Sequence, residues 1–357
     1  MPKILVSRDP VPDITESLSR ADAIAAARRM GKMLVTDLAP VSDMEDKILV
    51  DLANMEAAEI LANYERHMAN FYTLPTDLEG ELTRLYRGEW SIWSGFPGTG
   101  KTTFIRQMCM RFLQLLQSGE CVFIATLEQD PQWYIVEMAA TAAGVEMPTV
   151  RHIEQFLDLY RDKLRVWGVI GIAEHRQLLS TVRYLAEKEG CRHAIIDSLM
   201  ALDVDSTDNE AQRKFANLVS ATARAYGVHI HLVAHPRKPM GPDQAPNIWD
   251  VAGSSDLGRL AFNVFFLRRG DMVPGDQGIG SMVLTVVKQR TRGRIGEQTS
   301  YFYSRQRQFH RDPYAQEPTR YLPDGNYPEP GLMQETPAPM LDPYRVERAP
   351  VSSAWET

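Results

Sequence analysis

From roughly residue 76 to residue 310 the chain alternates short apolar runs with amphipathic stretches. That alternation predicts an α/β domain, a mostly parallel β-sheet flanked by helices. The runs Trp90–Ser94, Cys121–Leu127, Ala194–Asp197, His229–Ala234, Val264–Leu267 and Met282–Lys288 read as strands. Phe104, Ile105, Met108, Phe112, Leu115 and Leu116 share one face of a helix that opens at Thr102 and stops at Ser118-Gly119. A second helix carries Phe215, Leu218, Val219, Thr222 and Tyr226 and ends at Gly227.

The flanks differ from this middle zone. Residues 1–75 read as a helical extension, in which Ile48, Leu52, Met55, Leu61, Tyr64, Met68 and Phe71 recur near helical spacing. Such a stripe cannot bury itself, so it should pack on the main domain or on a neighbouring subunit. Residues 311–357 are studded with prolines, from Pro313 to Pro350, with acidic residues between them. This composition cannot offset its ordering entropy by burial and reads as a disordered tail.

Composition narrows the class only modestly. The net charge of −7 announces no polyanionic partner, so any nucleic-acid site must be a local cluster of Lys and Arg. Cys109, Cys121 and Cys191 lie far apart in apolar stretches without a Cys-x-x-Cys pair, which predicts buried reduced thiols rather than zinc ligands or disulfides. The N-terminus lacks a signal-peptide pattern, and no run is long enough to span a bilayer. A soluble, cytoplasmic protein without membrane contact is the expectation.

The strongest chemical signal is Gly95-Phe96-Pro97-Gly98-Thr99-Gly100-Lys101-Thr102, followed by Thr103, placed between a predicted strand and a predicted helix. Glycines at this spacing let backbone N–H groups curl around phosphates. Lys101 would neutralise the β- and γ-phosphates of a nucleotide, and the Thr102 hydroxyl would ligand Mg²⁺. The helix N-terminus adds partial positive charge.

Asp197 ends the apolar run Ala194-Ile195-Ile196, a costly place for a carboxylate unless it grips Mg²⁺ or caps the following turn. Glu128 ends another apolar run, on what is expected to be the strand next to the phosphate-loop strand. It would polarise the attacking water, or else help start the helix at Pro131. His229, His231 and His235 share a parity, which suits a metal site; alternatively His235 alone, at the strand end, senses the γ-phosphate and His229 and His231 are structural. Pro236-Arg237-Lys238-Pro239 is a rigid basic loop, either a DNA-phosphate contact or a solvated surface. Lys288-Gln289-Arg290 enters a basic turn whose arginine could serve a site across a subunit interface.

In order along the chain, Gly88-Glu89-Trp90, the glycine loop, Thr126-Leu127-Glu128, Ile195-Ile196-Asp197-Ser198, Val233-Ala234-His235-Pro236-Arg237-Lys238, Ala252-Gly253-Ser254-Ser255 and Lys288-Gln289-Arg290 resemble the RecA-like motor domain of ring-shaped replicative helicases. This is the DnaB-type superfamily, with the phage primase–helicases and mitochondrial Twinkle. The resemblance implies a RecA-like P-loop NTPase over residues 76–310, using ATP and Mg²⁺, assembled as a homohexamer on single-stranded or forked DNA. It implies Lys101, Glu128 and His235 as catalytic groups with Arg290 acting in trans. Thr102 and Asp197 would hold the metal, and Lys288 and Tyr303 would lie beside the nucleotide. Residues 236–252 would form a DNA-binding loop, with Arg237, Lys238, Gly253 and Ser254 as DNA contacts.

Two departures stand out: Arg259 replaces the family's usual glutamine, and Asn263 an acidic residue. The zone before residue 76 is too short for a primase module and lacks its cysteines. A primase, a polymerase or a single-strand-binding protein are the tail partners this family suggests, with Trp355 as one contact. The rival readings are a RecA-like DNA-dependent ATPase of recombination or repair, and a nucleotide-switched scaffold.

Overall fold

The computed structural model describes residues 57–69, 71–72, 84–205, 207–236, 246–251, 255–270, 280–291, 295–296, 298–304, 307–310 and 318–322. The chain divides into two compact units, Met1–Tyr64 and Glu65–Thr357, and the described elements of the functional region all lie in the second. Helix α1 (Ala57–Ala69) leaves Ile60, Leu61 and Tyr64 exposed. Phe71, expected on the helical stripe, instead begins strand β1 (Phe71–Tyr72), which pairs antiparallel with β2 (Leu85–Tyr86). Ile48, Leu52 and Met55 lie outside the described residues.

The core is a nine-stranded sheet. Its members in chain order are β3 (Trp90–Gly95), β4 (Cys121–Thr126), β5 (Leu164–Val166), β6 (Cys191–Asp197), β7 (His229–Ala234), β8 (Asn263–Arg269), β9 (Ser281–Gln289), β10 (Gln298–Tyr303) and β11 (Phe309–His310). Across the sheet the order is β11-β10-β9-β8-β3-β7-β6-β4-β5. The six strands from β8 to β5 are mutually parallel, whereas β9, β10 and β11 join by antiparallel pairing. Every residue of β3, β4 and β7 is buried, as expected of strands covered on both faces.

Helices fill the crossovers: α2 (Lys101–Leu115), α3 (Pro131–Ala143), α4 (Val150–Tyr160), α5 (His175–Glu189), α6 (Asn209–Tyr226) and the short α7 (Ser255–Leu260). Their ends follow local chemistry. Asp130 accepts from the backbone N–H groups of Gln132 and Trp133 to cap α3, Asp208 caps α6 in the same way, and α3, α5 and α6 each close on a left-handed glycine. Two apolar clusters, one on each face of the sheet, bury Phe104, Phe112 and Trp93 on one side and Phe215, Val219 and Trp90 on the other. No helix among the described residues is long and apolar enough to cross a membrane.

Three further findings differ from the sequence expectations. The strand carrying Glu128 follows β3 in the chain but is not its neighbour in the sheet, since β7 and β6 lie between them. Cys121 and Cys191 are not isolated: they are register partners on β4 and β6, and their thiols are hydrogen-bonded. Residues 318–322, inside the proline-rich stretch, pack on the domain, with Tyr321 and Leu322 buried. Tyr160 Oη donates to Tyr321 O at 2.8 Å, and Gln308 Nε2 to Thr319 O at 2.7 Å.

The histidines of β7 belong to the core. His229 Nδ1 donates to Tyr86 O at 2.6 Å, so its Nε2 accepts from Ser91 Oγ at 2.7 Å. Trp93 Nε1–H donates to His231 Nδ1 at 3.2 Å, which puts the His231 proton on Nε2. From there it is donated to His193 Nδ1 at 3.0 Å, and the His193 ring stacks on Phe112 with centroids 3.8 Å apart. Burial lowers all three pKa values, that of His229 to about 4. Among the described residues no group of three His, Cys, Asp or Glu side chains could hold a metal ion.

These neutral imidazoles give stability a pH dependence. The unfolded chain takes up their protons near pH 6.5, whereas the folded protein resists until far lower. Their contribution is therefore complete above about pH 6.5 and is lost progressively as pH falls below it, for His229 until about pH 4. Denaturant unfolding at pH 7 and pH 5 should show the loss. His193→Gln keeps an acceptor for His231 and should give a shallower pH slope; an unchanged slope would rule His193 out as a contributor.

Candidate active site

The glycine loop joins the end of β3 to the start of α2, in the middle of the parallel sheet. At Gly95 a side chain would run into the Leu267 carbonyl of β8, so only glycine lets the two strands stay paired there. Gly98 and Gly100 have φ of 75° and 85°, the left-handed region that suits glycine. A Cβ on Gly100 would also lie 2.7 Å from the Phe309 ring. Helix α2 begins without a side-chain cap on Gly100, leaving its first N–H groups for an anion.

Lys101 turns back into the loop, donating to Gly95 O at 2.6 Å and Phe96 O at 2.9 Å. Burial lowers its pKa, and the carboxylates of Asp197 and Glu128 partly restore it. Thr99 Oγ1 donates to Phe96 O at 2.9 Å, which fixes the tip. Thr102 Oγ1 donates to Asp197 Oδ2 at 3.0 Å, so the first residue pair of α2 meets the end of β6. Burial pushes the Asp197 carboxyl up to about 6, against the Thr102 hydrogen bond and the Lys101 charge. One hydroxyl and one carboxylate suit a hard divalent cation such as Mg²⁺, which takes few protein ligands and completes its shell from phosphates and water.

Glu128 sits just past β4 and accepts a hydrogen bond from Ser198 Oγ, beside Asp197. Its charge is felt at Lys101, Asp197 and His235, so the four share one electrostatic neighbourhood. His235 follows β7, the strand adjacent to the loop strand, and burial and Lys101 lower its pKa. Tyr303 ends β10 on the same sheet edge, its ring 5.3 Å from that of Phe309, which packs against Gly100. Thr103 lies half-buried in the first turn of α2.

Arg290 and Lys288 lie elsewhere. Gly95 pairs with Leu267, but Gln289 pairs with Asn263 at the opposite end of β8. Arg290 is therefore displaced from its own loop by more than four strand residues, roughly 13 Å. Its guanidinium lies over the Phe262 ring, 5.0 Å from the centroid, and donates to Arg259 O at 3.0 Å. Lys288 Nζ donates to the carbonyls of Gly258, Arg259 and Ala261, closing the end of α7 within its own subunit. Burial and the neighbouring Arg290 and Arg259 lower its pKa to about 8. Arg237, Lys238, Gly253 and Ser254 lie outside the described residues. Sequence reading gave no role to Ser198, which donates to Glu128, or to Phe309, which packs against Gly100; only Ser198, beside Asp197, had a positional signal.

Fold and glycine loop together define a P-loop domain of RecA-like build. Residues 79–241 match the family model described as AAA domain. Among solved structures, the chain is similar to the ATPase domain of G40P, with a TM-score of 0.59 and 17% identity over 71% of this chain and 97% of that one. It is similar too to a DnaB-like replicative helicase studied with primase, at a TM-score of 0.58 and 16% identity over 82% of this chain and 71% of that one.

Proposed function

We propose that the chain is the motor subunit of a ring-shaped replicative DNA helicase, a homohexamer that translocates on single-stranded DNA and hydrolyses ATP at its subunit interfaces. The observation that carries this reading is the separation of Arg290 from its own glycine loop, at opposite ends of the parallel strands. Arg290 is exposed and out of reach of its own loop, so any nucleotide it serves would be a neighbour's. In the half-site of one subunit, Lys101 and the loop N–H groups would hold phosphates, Thr102 and Asp197 would hold Mg²⁺, and Glu128 would orient and deprotonate water. His235, within the electrostatic reach of Lys101 and Glu128, would sense the γ-phosphate, and Tyr303 would stack on the base.

The mass of the protein with an ATP analogue and single-stranded DNA, together with unwinding of a forked duplex bearing a 5′ tail, tests the proposal. A hexamer that unwinds supports it. Strand exchange without unwinding would favour a recombination ATPase, and ATP-dependent protein binding with neither activity would favour a scaffold. DNA contact by Arg237 and Lys238 has its own test. Replacing both with alanine should lower the salt dependence of single-strand binding, by about 0.7 in log–log slope for each phosphate that is no longer neutralised. An unchanged slope removes that loop from the DNA path.

A further inference from the structure

One carboxylate outside the half-site touches three of the elements that build it. Glu137, on α3, is ion-paired with Arg106 of α2, the helix that begins with Lys101 and Thr102. Its Oε1 also accepts from Arg307 Nη1 at 3.2 Å, in the turn between Tyr303 and Phe309. Its Oε2 accepts from Gln129 Nε2 at 3.1 Å, the residue that follows Glu128. Arg106 is almost wholly buried, lies over the Tyr134 ring, and its charge reaches Asp197. A buried guanidinium needs a carboxylate, so Glu137 is held firmly rather than as a loose surface partner.

The turn that carries Glu128 is pinned on every other side. Leu127 N donates to Asp197 O at 2.8 Å, Leu127 O accepts from Gly171 N at 2.9 Å, and Thr126 Oγ1 donates to Gln129 O at 3.0 Å. The Gln129 side chain is the remaining handle, and it ends on Glu137. Glu128 itself is exposed, so its carboxylate takes its position from this turn and from Ser198.

We infer that Glu137 and Gln129 are positioning residues for ATP hydrolysis: through them the phosphate-loop helix sets where Glu128 stands. This rests on the reading of Glu128 as the group that activates water. Misplacing such a group by about an ångström costs up to about 100-fold in rate without weakening ground-state binding.

The test is steady-state ATPase kinetics on the full chain with single-stranded DNA, with thermal stability measured alongside. Gln129→Ala should lower kcat about tenfold, leave KM for ATP within about twofold, and hardly change Tm. Glu137→Gln should lower kcat by a similar factor, and the double variant should be no worse than the poorer single, because both act through one link. Should Glu137→Gln fail to fold for want of a partner for Arg106, Gln129→Ala still decides. A wild-type kcat in Gln129→Ala, or additive losses in the double variant, overturns the inference. Glu128→Ala is the control: if it retains full turnover, the reading of Glu128 fails instead.

Discussion

Arg290→Ala should lower ATP turnover by about 10³-fold or more while leaving nucleotide binding intact, the scale expected for an arginine that stabilises charge developing on a neighbour's nucleotide. Lys101→Ala should be equally inactive for a different reason: it removes the ammonium that lies on the Gly95 and Phe96 carbonyls of its own loop and would meet the phosphates there. Mixing the two inactive proteins is the informative step. At some interfaces an intact loop from Arg290→Ala would meet an intact arginine from Lys101→Ala, and activity should return. Recovery would follow from Arg290 and the loop lying at opposite ends of the strands. No recovery from subunits shown to co-assemble would sink the shared site and return Arg290 to a local role, capping α7 beside Lys288.

Glu128→Gln should lower turnover by about 10²- to 10⁴-fold, the usual worth of a general base, with nucleotide and Mg²⁺ binding retained. Glutamine preserves the acceptor for Ser198 Oγ and removes only the basicity. The contrast is Asp197→Asn, which changes the carboxylate that accepts from Thr102 and should weaken Mg²⁺ binding, so that turnover needs more Mg²⁺. Isothermal titration with a non-hydrolysable ATP analogue, read beside turnover, separates the two. Turnover unaffected by Glu128→Gln would mean that the base lies elsewhere.

The sheet core was legible because burial on both faces forces continuous apolar runs. Trp90–Gly95, His229–Ala234 and Cys191–Asp197 end where sequence places them, to within a residue or so. The margins were not. Leu164–Val166 and Phe309–His310 are too short for periodicity, and Gln298–Tyr303 mixes polar with aromatic residues, as an antiparallel margin strand does. Tyr321 and Leu322 were hidden by surrounding prolines, although two apolar side chains and a few backbone hydrogen bonds suffice to dock so short a segment. Glycine spacing identified the loop, and strand-end carboxylates marked Asp197 and Glu128. Glu137 left no mark, because a glutamate on an amphipathic helix looks like solvent-facing charge until its arginines are placed around it.

The inward turn of Lys101 also bears on how fast and how tightly phosphate is captured. With its ammonium on the Gly95 and Phe96 carbonyls and Thr99 bonded across the tip, the loop holds its curled shape through its own hydrogen bonds. An arriving triphosphate then exchanges two carbonyl hydrogen bonds for its own oxygens instead of ordering a slack segment, and little conformational entropy is given up on binding. Association should be limited by encounter rather than by folding of the loop, and a substitution that frees the tip, such as Thr99→Ala, should slow capture more than it speeds release.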